Sequence, residues 1–218
     1  NMATLILGVF PNAIVTSYAT VSFSSDSITV PAGQSAEVTV KFTPPADVNA
    51  TLLAVYSGFI TVGDKLVLPY MGVEGSMRAI PVIASSNAYL ASGYSPISGN
   101  MTYTIPKPDP ANPPATDSGD SINSPNVYIS PNVGTRLMHA VVLHGDEELG
   151  ELAGWPQTYL HRVEKRAWIT GLLANGKVLD EGTYRVRLKA LRLFGDENRD
   201  GDWDVVETVK FAIKYSRN

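Results

Sequence analysis

The sequence predicts an all-β chain of two fibronectin-III/immunoglobulin-like β-sandwich modules joined by a Pro-rich linker. Three observations carry this. Period-two alternation dominates wherever periodicity is visible, turn residues recur at the short spacing of sandwich strands, and one Pro/Gly/Ser-rich stretch interrupts the pattern. The expected boundaries are a first sandwich over 1–86, an irregular connection over 87–126 and a second sandwich over 127–218.

Met2 to Phe10 is short and apolar but lacks the basic lead and small-residue cleavage site of a signal peptide, so it reads as a strand. Ile28 and Val30 run into the turn Pro31-Ala32-Gly33-Gln34. Then Ala36, Val38, Val40 and Phe42 alternate with Glu37, Thr39, Lys41 and Thr43, the pattern of a half-buried strand. Pro44-Pro45 ends it, because neither proline can donate to a ladder. Val55 to Val62 is the next strand, Gly63-Asp64 turns the chain, and Leu66 to Tyr70 returns it. Gly58, inside that strand, marks a bulge or a close approach.

Residues 106 to 125 change character. Pro106, Pro108, Pro110, Pro113 and Pro114, then Asp117-Ser118-Gly119-Asp120, offer little to bury and resist ladders. Strands resume at Val127 to Ile129, Leu137 to Leu143 and Trp168 to Thr170, and Asn175-Gly176 is a hairpin signal. Tyr184, Val186, Leu188 and Ala190 alternate with Arg185, Arg187 and Lys189. Val205, Val209, Phe211, Ile213 and Tyr215 form the second of two long antiparallel strands around an acidic loop. Gly154 to Arg166 lacks strand logic and is expected to hold a short helical turn.

The 218 residues are 44% hydrophobic and 17% charged, which suits a globular chain. A net charge of −4 and a pI near 5.4 argue against nucleic-acid or anionic-membrane partners, which need a basic patch. Arg185, Arg187 and Lys189 read as a solvated face. With no cysteine there is no disulfide, thiolate metal site or cysteine nucleophile. No apolar run reaches the length of a membrane span.

An ordered set of motifs in the first 85 residues resembles the fibronectin-III-like domain that follows the catalytic domain of subtilisin-like serine proteases, especially the fungal secreted branch. It comprises Ile28-Thr29-Val30-Pro31-Ala32-Gly33-Gln34-Ser35, Val38-Thr39-Val40, Phe42-Thr43-Pro44-Pro45, Tyr56-Ser57-Gly58-Phe59-Ile60 and Leu68-Pro69-Tyr70-Met71-Gly72-Val73. Gly182-Thr183-Tyr184-Arg185 and Ala190-Leu191-Arg192-Leu193-Phe194-Gly195-Asp196 are similar to the end of those proteases. The resemblance implies a secreted chain whose partner is a subtilisin-like catalytic domain, with a role in bracing that domain or engaging protein substrate. The family's catalytic motifs are missing: Gly75-Ser76-Met77 lacks the threonine of the serine motif, and His144-Gly145-Asp146 is not the histidine motif. The expectation is therefore a non-catalytic region. The alternative is a free-standing secreted binding protein with a glycan or cell-surface partner.

Three sets of residues are candidates for chemistry. Residues 196–207 fit the D-x-[DN]-x-[DN]-G-x5-E spacing of a calcium loop. Side chains of Asp196, Asn198 and Asp200, the carbonyl of Asp202 and a bidentate Glu207 would supply oxygens, Asp204 adds a further carboxylate, and Gly201 allows the turn. Strand flanks exclude an EF-hand, and a solvated acidic loop is the simpler reading. Glu207 shares parity with Val205, Val209 and Phe211, which points it to the buried side. Asn49-Ala50-Thr51 and Asn100-Met101-Thr102 are sequons, which make Asn49 and Asn100 glycosylation candidates. His139, His144 and His161 read as ordinary strand and loop histidines. Trp155 and Trp203 are surface candidates for a recognition platform, and Trp168 reads as core.

Overall fold

The computed structural model describes residues 3–5, 14–64, 66–93, 95–114 and 125–217. It is all-β, with several sheets and helical structure confined to short 3-10 turns among the described residues. The chain divides into two compact units, Asn1–Ala79 and Ile80–Asn218.

In the first unit, β1 (Ala3–Leu5), β2 (Ile14–Val15), β5 (Ala54–Val62) and β6 (Leu66–Glu74) form an antiparallel sheet in the order β2-β1-β5-β6. β3 (Thr20–Phe23) and β4 (Val40–Thr43) pair separately. The register of β5 with β6 is unbroken from Ala54 opposite Glu74 to Val62 opposite Leu66. Gly58 is therefore not a bulge; it is a buried position opposite Tyr70. The tight approach lies two pairs away, where Tyr56 faces Gly72. A Cβ on Gly72 would sit 2.3 Å from the Tyr56 ring, so only glycine leaves room for it. Ala54 and Tyr56 form a small core with Val15, Ala19, Val48 and Tyr70 packed on it.

The strand expected from Ala36 begins only at Val40. At the preceding positions a side chain takes over from the ladder: Thr39 N–H donates to Ser24 Oγ (3.0 Å) and Thr39 C=O accepts from Ser24 N–H (2.9 Å). Of the N-terminal stretch, Ala3–Leu5 is strand, while Ile6 to Phe10 lie outside the described residues.

The second unit contains β7 (Ala88–Ser92), β8 (Ser95–Pro96), β9 (Met101–Ile105), β10 (Pro125–Ile129), β11 (Thr135–His144), β12 (Glu147–Glu151), β13 (Gln157–Leu160), β14 (Lys165–Trp168), β15 (Gly182–Leu191), β16 (Trp203–Glu207) and β17 (Phe211–Tyr215). One sheet runs β14-β10-β7-β8. The other runs β12-β11-β15-β17-β9, with β13 also on β11 and β16 also on β15. Alternation works as the sequence implies: Met138, Ala140 and Val142 on β11, and Tyr184, Val186, Leu188 and Ala190 on β15, are buried. At the start of β15 the Tyr184 hydroxyl donates to the Asp180 carbonyl, four residues upstream, at 2.7 Å. A tyrosine bonded back to its own approach loop in this way is a hallmark of Greek-key sandwich corners.

Three further features differ from expectation. The stretch 87–126 is not wholly irregular: β7, β8 and β9 lie in it, inside the second unit. β7 pairs with β10, with Tyr89 stacked on Tyr128 at 5.0 Å, and β9 runs parallel to β17. Residues 115–124, including Asp117 to Asp120, lie outside the described residues. Gly154 to Arg166 holds β13 and the start of β14 rather than a helical turn, because β13 finds a partner in the first residues of β11. Finally, Val205 to Tyr215 is two strands. Thr208 plugs the gap, donating its N–H to Val186 C=O and accepting Val186 N–H on Oγ1, both at 3.0 Å. Val209 and Lys210 are both exposed, which shifts the parity so that Phe211 and Ile213 turn inward while Val205 and Glu207 turn out.

Candidate functional site

The acidic loop grows out of β15 and returns as β16. It tightens into a 3-10 turn at Asp200–Asp202. Asp196 Oδ1 accepts the backbone and side-chain N–H of Asn198, at 3.0 and 3.1 Å. Asp202 is buried; its Oδ2 accepts Asp196 N–H at 2.9 Å, and its carbonyl accepts Arg192 N–H at 2.9 Å. Asp204 is also buried. One oxygen accepts from Arg192 Nε at 2.8 Å and the other from Val82 N–H at 2.5 Å, a contact spanning 122 residues. Asp200 is exposed.

Glu207 faces outward, not into the core as its parity with Phe211 implied. It pairs with Arg185 at 2.7 Å and Arg187 at 2.8 Å. Those arginines also reach across β11, to Asp146 in the turn after it and to Glu148 on β12. The Glu207 carboxylate beside Arg187 raises the guanidinium pKa, the largest effect on that group. The basic face of β15 is thus an ion-paired row rather than a free one. The six residues of the proposed calcium loop are split: Asp196, Asn198 and Asp202 close the loop on itself, while Asp204 and Glu207 go to arginines. Among the described residues no group of three or more His, Asp or Glu side chains is placed to hold a metal ion.

His139 pairs with Glu151, whose other oxygen accepts Ala140 N–H at 2.8 Å. The Trp203 ring lies 5.5 Å from His139 and 5.0 Å from Lys189 Nζ, and its Nε1–H donates to Glu197 C=O. Trp203 is therefore half-covered. Trp155 is buried rather than on the surface, and Trp168 is buried as expected. His144 Nδ1 lies 3.1 Å from Thr183 C=O, while His161 is exposed. Asn49 and Asn100 are both exposed, and Asn49 Oδ1 accepts Thr51 N–H (3.0 Å) and Oγ1–H (2.7 Å).

In the first unit the notable surface is apolar. Phe59, Val62, Leu66, Val67, Leu68 and Met71 are exposed along the β5–β6 hairpin, Met71 at 76% and Phe59 at 71%. Beside the hairpin is a cleft of about 630 Å³ lined by Phe23, Ile28, Val38, Val40, Ile60, Val62 and Leu68, with Ser25, Asp26 and Ser27 at its polar side.

Residues 8–71 match the family model of an Fn3-like domain. No curated protein matches the chain. The apolar hairpin side chains and the cleft thus fall in the Fn3-like domain, as do the other large exposed apolar side chains between Ile14 and Met71. Sequence reasoning found this domain through its turn and strand motifs. It missed the exposed aromatics of the second unit, Tyr159 and Phe194, because neither lies in a periodic pattern.

Proposed function

We propose that this chain is a non-catalytic accessory region of a secreted subtilisin-like serine protease, whose Fn3-like domain docks on the catalytic domain or helps engage protein substrate. The observation that supports this reading is the apolar surface of that domain. Isolated exposed apolar side chains are ordinary, but Phe59, Val67 and Met71 share one face of the hairpin while Val62 and Leu68 line the apolar cleft on the other, and such grouping suits a protein contact. The first set of motifs that resemble the fungal proteases, within residues 28–73, falls almost wholly in the same domain.

Capture of the chain from its native secretion, followed by a serine-reactive fluorophosphonate probe, tests this. A labelled larger chain or a labelled co-purifying partner is the expected result. Label on the isolated 218 residues would make the chain an enzyme, and an unlabelled chain recovered alone would make it free-standing. Phe59→Asp with Met71→Asp is expected to release a co-purifying catalytic domain while leaving the fold intact.

A further inference from the structure

Three non-glycine residues of the described chain have positive φ: Leu53 (52°), Tyr159 (52°) and Phe194 (59°). The left-handed region is unfavourable for any residue with a Cβ, least so for Asn and Asp. At Leu53 packing offsets the strain, since the side chain is completely buried. At the other two nothing does. Tyr159 and Phe194 are each 79% exposed, the two most exposed large apolar side chains among the described residues. Strain and exposed apolar area together work against stability at both positions, and retained strain of this kind clusters at ligand contacts.

The fold brings the two to one end of one sheet. Leu137 lies opposite Thr158 and Thr135 opposite Leu160, which sets Tyr159 beside Arg136 on β13's side of β11. On the other side Met138 lies opposite Ala190, which sets Arg192, and then Phe194, beyond the end of β15. β13 and β15 flank β11 two strand spacings apart, about 10 Å. Arg136, beside Tyr159, pairs at 2.7 Å with Glu197, three residues beyond Phe194, and both side chains are about half exposed. The turn that presents Phe194 is fixed by Gly195, where a Cβ would meet Arg192 C=O at 2.9 Å and Asp202 Cβ at 3.2 Å.

We propose that Tyr159 and Phe194 are the two stacking platforms of a carbohydrate-binding site, with Arg136 and Glu197 as hydrogen-bonding groups between them. Sugars present apolar C–H faces rimmed by hydroxyls. Separate exposed rings flanking a charged, hydrogen-bond-rich pair suit that alternation. A peptide ligand would favour a continuous apolar patch, which these residues do not make. The ligand class is a linear oligosaccharide long enough to span the two rings. This inference does not depend on a protease partner, because it concerns the second unit alone.

Calorimetric titration of the full chain with laminarihexaose, cellohexaose and chitohexaose tests it, alongside Tyr159→Asn and Phe194→Asn. Asparagine accepts positive φ, so each variant is expected to keep or raise the melting temperature. The expected result is saturable binding of at least one hexasaccharide, weakened at least tenfold by each substitution. No binding by the wild-type chain, or undiminished binding by the variants, overturns the proposal. Binding of denatured collagen peptides that the variants lose, with no hexasaccharide bound, assigns the rings to peptide and equally overturns it.

Discussion

Tyr56 in the first unit and Tyr184 in the second each anchor a sheet, in very different company. Tyr56 packs over Gly72, and the buried positions around it among the described residues are Pro45, Leu53, Ala54 and Gly58. Tyr184 stands in a continuous buried set that includes Val186, Leu188, Phe211 and Ile213, and its hydroxyl is bonded. The first unit leaves apolar surface where the second hides it. A thin core with an open apolar face is what a module completed by another surface looks like, whereas the second unit has the burial of a self-sufficient domain.

Large-to-small substitution should break this contrast most strongly. Leu188 is fully buried, so Leu188→Ala is expected to cost about 3 kcal/mol in denaturant unfolding of the second unit. Met71→Ser, at a side chain 76% exposed, should fall within about 0.5 kcal/mol. A comparable loss at Met71 would show that its face is covered.

Asp204 comes next. Removing a buried carboxylate that holds both Arg192 and the Val82 N–H leaves two donors unpaired, and Asp204→Ala is expected to cost about 3 kcal/mol. Loss of amide-exchange protection at Val82 in that variant would tie the effect to this contact.

The sequence made the second unit's long alternating strands legible, since Tyr184, Val186, Leu188 and Ala190 read as core and are. It failed where a partner lay far along the chain. Tyr89 to Ala91 and Met101 to Ile105 are short and stand beside Gly-, Ser- and Pro-rich segments, so the Thr-Tyr-Thr-Ile strand composition of the second is outweighed, and each becomes a strand by pairing with Pro125–Ile129 and Phe211–Tyr215 respectively. The acidic loop shows the same limit. Its spacing could be read, but the arginines that meet Asp204 and Glu207 lie on β15 or at its end and could not. The motif match to the Fn3-like domain was legible because turn residues such as Pro31, Gly33 and Pro44 carry it locally.

Smaller effects separate bonded from unbonded tyrosines within the second unit. Tyr184→Phe removes a 2.7 Å bond and leaves the Asp180 carbonyl unpaired, for about 1 kcal/mol. Tyr103 is buried with a hydroxyl that has no partner among the described residues, so Tyr103→Phe should be neutral or stabilising. Burial, then Tyr184, Asp180 and Glu181, push the Tyr215 phenol up to about 12. An unfolded tyrosine ionises near 10. Its contribution is therefore complete below about pH 10 and is lost as pH rises towards 12. Tyrosinate absorbance should show this phenol titrating late, with unfolding of the second unit, and Tyr215→Phe should flatten stability across that window. A Tyr215 signal near 10 in folded protein would refute the assignment.

Calcium should have the least effect. Arg185, Arg187 and Arg192 already neutralise Glu207 and Asp204, and Asp202 is engaged by backbone N–H. A calcium ion using the 196–207 spacing must displace those partners, and the ion pairs it breaks offset the coordination it gains. Millimolar calcium is therefore expected to move the second unit's unfolding midpoint by less than about 0.5 kcal/mol, against about 2.7 kcal/mol for a site at a hundredfold its dissociation constant. Glu207→Gln sharpens the measurement, because it frees the arginines while weakening the loop as a ligand set. If calcium stabilises the wild-type chain strongly and Glu207→Gln abolishes that gain, the loop rearranges around the ion and the arginine row is its resting state.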